Sequence, residues 1–88
     1  MKHKNIIVKG KVQNVGFRFY TNKKAVELGI KGYVKNMPDG SVYIEAEADE
    51  ITLDHFIIWC KKGPTWARVN DLQVNEAPSE NYKEFSIR

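Results

Sequence analysis

The chain has 88 residues, 42% of them hydrophobic and 28% charged, with a net charge of +3 and a pI near 9.0. That length allows one domain, residues 1–88, around one modest core, and the composition excludes a disordered chain. The single cysteine excludes an internal disulfide framework and a cysteine-rich metal site. No apolar run is long enough to span a bilayer, and none follows the basic "MKHK" as in a signal peptide, so a reducing, cytoplasmic setting is expected. The mild basicity suits an anionic partner without choosing between nucleic acid and a small phosphate compound.

From the N-terminus, "NIIVKGKV" alternates. Ile6, Val8, Gly10 and Val12 face one way, Ile7, Lys9 and Lys11 the other, which predicts a strand with one buried face. After a loop, Phe17, Thr21, Ala25 and Leu28 recur at helical spacing, and Gly29 stands where a C-cap glycine belongs. "KGYVKN" reads as a strand with Val34 inward, and "MPDG" as a turn in which Pro38 presets its φ and Gly40 accepts a positive one. "SVYIEAEA" alternates again, with Val42, Ile44 and Ala46 inward and Tyr43, Glu45 and Glu47 outward, so the two strands form a hairpin. "DEITLDHFIIWCKK" is a second helix. Asp49 is its N-cap, Leu53, Phe56, Ile57 and Cys60 are its apolar stripe, and Gly63-Pro64 is its stop. In "ARVNDLQVNEA" the inward phase shifts between Val69 and Leu72, which predicts a β-bulge near Asn70 and Asp71. Phe85 and Ile87 alternate in a short last strand.

The order β-α-β-β-α-β, plus a short extra strand, predicts an α+β fold. It is the ferredoxin-like split β-α-β sandwich (βαββαβ), an antiparallel sheet with two helices on one face. The outward Lys, Glu and Tyr residues fit a sheet whose other face is in water.

The loop "QNVGFR" joins the first strand to the first helix. Successive backbone N–H groups in such a turn can form a concave nest for an anion, and the helix start behind it adds unpaired N–H groups and partial positive charge. Gly10 and Gly16 would let the backbone approach a ligand. Arg18 supplies a planar fork of donors that matches a phosphate bidentately, and Lys9, Lys11 and Lys35 would add positive background. Such an arrangement can hold a tetrahedral dianion without a metal.

At this point the sequence resembles the acylphosphatase family over essentially its whole length. "VKGKVQNVGFR" is similar to the family's Gly-x-Val-Gln-Gly-Val-x-Phe-Arg signature. "GYVKNMPDGSVYIEAEA" resembles its Gly-aromatic-Val-x-Asn run with the following hairpin, and "KGPTWARVNDL" the segment after the second helix. Two residues depart from the pattern. Asn14 stands where the family usually has glycine, as the residue next most tolerant of left-handed backbone, and Ala48 replaces a glycine at a strand end away from the proposed chemistry. The resemblance implies hydrolysis of a carboxyl-phosphate anhydride to carboxylate and inorganic phosphate by a cytoplasmic monomer, with no cofactor, metal, nucleic acid or membrane partner. It implies Arg18 as the phosphate-binding residue and Asn36 as the residue that orients the attacking water. The backbone amides of Gln13, Asn14, Val15, Gly16, Phe17 and Arg18 would form the phosphate cradle.

Plainer readings stand beside these. Arg18 could be a surface arginine, and Asn36 could simply begin the "NMPDG" turn, where asparagine is common. Cys60 has the spacing of a core residue rather than a nucleophile. His3, near a terminus, and His55, isolated on the second helix, are expected to be exposed. Trp59 and Trp66 are expected to pack at the helix-to-strand connection. Tyr33 and Tyr43 could stack bases, since RNA-binding modules share this fold plan. However, the aromatic RNA-binding signature is absent, and Glu45 and Glu47 would repel a phosphate backbone. A catalytically silent phosphate-binding domain is the other alternative.

Overall fold

The alternation and helical spacings become seven elements in the computed structural model, which describes all 88 residues. They are β1 (Lys2–Lys11), α1 (Phe17–Leu28), β2 (Lys31–Asn36), β3 (Val42–Ala48), α2 (Glu50–Lys62), β4 (Arg68–Ala77) and β5 (Phe85–Ile87). The sheet order is β4-β1-β3-β2-β5. The first four strands pair antiparallel, as expected. β5 differs by running parallel to β2, pairing Gly32 with Phe85 and Val34 with Ile87.

The core lies between the sheet and the two helices. Ile6, Val8, Val34, Val42, Ile44 and Ala46 meet Phe17 and Ala25 of α1 and Leu53, Phe56 and Cys60 of α2, all buried. Burial pushes the Cys60 thiol pKa up, away from the thiolate form a nucleophile needs. His55 is exposed, as its isolated position suggests.

The bulge forms where the phase shift puts it. β1 and β4 slip register between Lys9 and Gly10, and Asn70 is the extra residue between the partners Asp71 and Val69. Gly10 serves that bulge rather than a ligand. At φ 134°, any Cβ there would fall 2.1 Å from the Arg68 carbonyl oxygen.

Three expectations are corrected. Trp59 packs between Phe17 and Phe56, but Trp66 is 76% exposed, because the turn after α2 carries it off the core. Second, Glu45, Glu47 and His3, expected in solvent, are buried on the outer sheet face. The cause is topological. β4 and β5 lie on opposite edges, so residues 78–84 must cross the sheet between them. They do so against Glu47, whose carboxylate accepts hydrogen bonds from the Ser79 hydroxyl (3.1 Å) and from the main-chain N–H groups of Asn81 (3.2 Å), Tyr82 (2.8 Å) and Glu80. His3 Nε2 bonds Glu45, while its Nδ1 lies 3.1 Å from Glu47 Oε2 without the alignment of a hydrogen bond. The Tyr43 hydroxyl donates to Glu45, and burial together with that bond pushes the phenol pKa up. Third, the open tyrosine face is occupied: Tyr82 meets Tyr33 edge-on at 5.9 Å, and the Arg88 guanidinium sits 3.9 Å from the Tyr33 ring centre.

Burial alone would raise the Glu47 pKa. The hydrogen bonds from residues 79–82 outweigh it and hold the carboxyl below its ordinary value of 4.5. A depressed folded value contributes stability that is complete above about pH 4.5 and is lost as pH falls through the folded value. Acidification is therefore expected to release the crossing segment. The protection of the Asn81 and Tyr82 amides, taken relative to the intrinsic exchange rate at each pH, should fall from pH 5 towards pH 3 before the strands β1 and β3 open, and Glu47→Gln should flatten that dependence. Equal pH sensitivity in Glu47→Gln would assign the effect to another group.

Candidate active site

The two helices start differently. α2 is capped conventionally: the Asp49 carboxylate accepts from Thr52 N–H at 2.7 Å, and Glu50 lies in the first turn. α1 begins at Gly16, in left-handed conformation (φ 78°), with no side-chain cap and no acidic residue in its first turn. Outside the helices and strands this region donates one main-chain bond, Tyr20 N–H to the Gly16 carbonyl (3.0 Å). The amides of residues 13–19 therefore have no main-chain acceptor. Leaving four donors bare is costly to a helix unless something else accepts from them.

Asn14 supplies the other half of the turn. Its φ is 63°, the left-handed value implied by the glycine that usually stands there. The loop is tied down by a side chain that sequence reading treated only as a source of a backbone amide. Gln13 Nε2 donates to the carbonyls of Met37 and Ser41, both at 2.8 Å, and so fastens the loop to the β2–β3 hairpin. The hairpin has its own brace, the Asp39 carboxylate accepting from Ser41 Oγ (2.6 Å) and N–H (2.9 Å), which holds the Asp39 pKa below the usual carboxylate range.

That brace leaves Asn36 free. The turn closes through Met37 N–H to Ser41 C=O (2.9 Å) and Gly40 N–H to Met37 C=O (3.1 Å), without the Asn36 side chain. Asn36 is the last residue of β2, and its Oδ1 is buried with no hydrogen-bond partner. Arg18 is held loosely, Nη1 donating to the Arg88 main-chain oxygen at 3.4 Å.

These parts meet in a cleft of about 250 Å³ whose lining includes Asn14, Gly16, Phe17, Arg18 and Asn36. Gln13 and Val15 flank it in the loop without lining it. Lys9, Lys11 and Lys35 do not line it either. Lys9 borders a groove beside Asp39 and Gly40, and Lys35 lies 5.8 Å and 5.6 Å from the Tyr33 and Tyr43 ring centres on the outer face. The expected positive background is thus carried by Arg18 and the helix start. Phe19 and Ile87 complete the cleft wall, a role with no periodicity signal in the sequence. No three His, Cys, Asp or Glu side chains converge into a metal-binding group.

A ferredoxin-like sandwich with an uncapped helix start, a guanidinium and an unpartnered amide round one cleft defines a small α+β protein whose cleft is suited to an anion. The acylphosphatase family model matches residues 4–87. An acylphosphatase of Archaeoglobus fulgidus is 54% identical over 93% of this chain and 92% of its own, and one of Thermotoga maritima is 49% identical over 100% and 98%. The crystal structure of acylphosphatase from Bacillus subtilis superposes with a TM-score of 0.97 at 40% identity, covering 100% of this chain and 99% of that one. The chain belongs to the acylphosphatase family. It is an acyl phosphate hydrolase with the α+β ferredoxin-like fold of that family.

Proposed function

We propose that this one-domain enzyme cleaves acyl phosphates by in-line attack of water without a metal or cofactor, with Arg18 and Asn36 as its catalytic residues. The amides of Gln13, Asn14, Val15, Gly16, Phe17 and Arg18 cradle the phosphoryl group, and the Arg18 fork binds its remaining oxygens. Asn36 Oδ1 accepts a hydrogen bond from the attacking water and aims its oxygen at phosphorus. As the new P–O bond forms, the bond to the carboxylate oxygen breaks. The carboxylate leaves unaided because its conjugate acid has a pKa of about 4. The water proton passes to a phosphate oxygen, giving carboxylate and inorganic phosphate. A loose phosphoryl-transfer transition state asks for positioning and charge stabilisation, which this cleft offers, more than for a strong base.

The single observation that carries this reading is the unpartnered buried Asn36 Oδ1 in the same cleft as the bare helix start and Arg18. All these groups come from one chain, so the proposed reaction needs no second copy, and we take the enzyme to be a monomer. We place the enzyme in a reducing, cytoplasmic setting, with which its lone, buried, free cysteine is compatible. No helix is long and apolar enough to cross a membrane. The occupation of the tyrosine face by Tyr82 and Arg88 argues against base stacking.

The test is phosphate release from acetyl phosphate and from a simple alkyl phosphate monoester, each with and without EDTA. Turnover of the anhydride that survives the chelator, with negligible turnover of the ester, is expected, because an alkoxide leaving group would find no proton donor. Complete loss with EDTA, or equal rates on both compounds, would overturn the mechanism.

Asn14→Gly bears on the cradle alone. Asparagine at φ 63° retains a Cβ, at a cost of about 1 kcal/mol against glycine. Turnover per active enzyme is expected to equal or exceed the parent's. Melting temperature is the poorer readout, since glycine also loosens the unfolded chain. A large loss of activity would mean that the Asn14 side chain itself contacts the loop or the substrate.

A further inference from the structure

The cleft holds more apolar surface than phosphate needs. Asn14, Gly16 and Arg18 face the phosphoryl group on the proposed reading, and Asn36 the water. Val12 and Phe17, also in the lining, belong to the core. Two lining residues remain, Phe19 and Ile87, and they are 60% and 45% exposed. They come from distant parts of the chain, α1 and β5, yet border the same cleft.

The Phe19 ring has an aromatic neighbour, and the Ile87 backbone is fixed in the sheet. The Phe19 ring meets the Tyr20 ring edge-on at 5.1 Å, and the Tyr20 ring lies against Gly16, close enough that a Cβ there would be 3.3 Å from it. Ile87 pairs with Val34 across β5 and β2, and the next residue's N–H bonds the Val34 carbonyl at 2.8 Å. Two apolar side chains bordering a polar cradle are suited to the group that remains once phosphate and water are placed, which is the acyl part of the substrate.

We infer that Phe19 and Ile87 form an acyl-group subsite that selects acyl phosphates with a planar aromatic or bulky apolar acyl group over the acetyl compound. This rests on the phosphate-end assignment of the proposed function. Partly exposed apolar contacts lie at the low end of what a hydrophobic pocket contributes to discrimination, about tenfold. The contact is present in ground and transition states alike, so it lowers KM more than it raises kcat.

The experiment compares benzoyl phosphate with acetyl phosphate in the parent, Phe19→Ala, Ile87→Ala and, as a control at an exposed site on α2, Ile58→Ala. Calorimetric binding of the non-hydrolysable benzoylphosphonate and acetylphosphonate runs in parallel. The parent should favour the benzoyl compound by about tenfold or more in kcat/KM and in affinity. Each cleft variant should bring that ratio towards one through a higher KM for benzoyl phosphate, with inhibition by inorganic phosphate unchanged, and Ile58→Ala should keep the parent ratio. Unchanged ratios in both cleft variants would overturn the inference. So would a loss of inorganic phosphate binding that matches the loss of benzoyl binding, because the two side chains would then shape the phosphate end. Absence of turnover on either substrate would sink the proposed reaction, while the phosphonate affinities would still decide whether the subsite exists.

Discussion

Arg18→Ala is expected to lower kcat/KM for an acyl phosphate by about 10³-fold, and to weaken inhibition by inorganic phosphate along with it. A cation in the first turn of a helix opposes the macrodipole, and this helix has neither an acidic neighbour nor a side-chain cap to offset it. Its side chain makes one long hydrogen bond, 3.4 Å to the Arg88 main-chain oxygen. A guanidinium so lightly held is free to close on an anion, and its charge serves both the bound phosphate and the transition state, so binding and turnover fall together. Arg18→Lys should recover only part of the loss, since an ammonium keeps the charge but not the planar fork. Parallel measurements of kcat, KM and the phosphate inhibition constant check this. A variant that binds phosphate as the parent does would remove Arg18 from the cradle.

Asn36→Ala should separate what Arg18→Ala joins. Turnover is expected to drop by about 10²-fold or more, while inorganic phosphate still inhibits competitively at close to the parent's constant. The side chain takes no part in the hairpin's hydrogen bonds, which run through Met37, Gly40, Ser41 and the Asp39 carboxylate. Removing it therefore leaves the turn intact, and stability should change little or improve, because a buried unsatisfied oxygen disappears. A loss of stability with unchanged catalysis per folded molecule would return Asn36 to a turn residue. Collapse of phosphate inhibition would make it a binding group and void its proposed task of aiming water.

The two helix starts are built in opposite ways. One chain caps α2 with Asp49 and Glu50 and leaves α1 open behind Gly16. Local helix stability would favour an acidic or hydroxyl cap at both. The exception falls at the end of the loop that Gln13 fastens to the hairpin bearing Asn36. The Gln13 side chain thus joins the loop of open amides to the hairpin that carries the free amide oxygen. On the proposed mechanism Gln13 would act as a positioning residue, through the loop it holds.

Much of this was legible in the residues themselves. Periods of two and 3.6 marked β1, β2, β3 and both helices, because burial on one face imposes those periods. The phase break between Val69 and Leu72 marked the bulge, and asparagine in place of glycine pointed to the left-handed turn at Asn14. Arg18 and Asn36 stood out by their motifs, but no local rule could bring them to one cleft; sheet pairing did that. Tertiary structure alone decided the fate of the outer face. Glu45, Glu47 and His3 alternate as solvent-facing residues should, yet they are buried because the chain must cross the sheet to carry β5 to the far edge. The same route brings Ile87 beside Phe19, and Gly10, which reads like part of a ligand loop, is instead claimed by the Arg68 carbonyl of a strand far along the chain. Periodicity reports which side of its own element a residue takes. What comes to lie on that side depends on contacts between segments remote in sequence, and these exist only once the chain has folded.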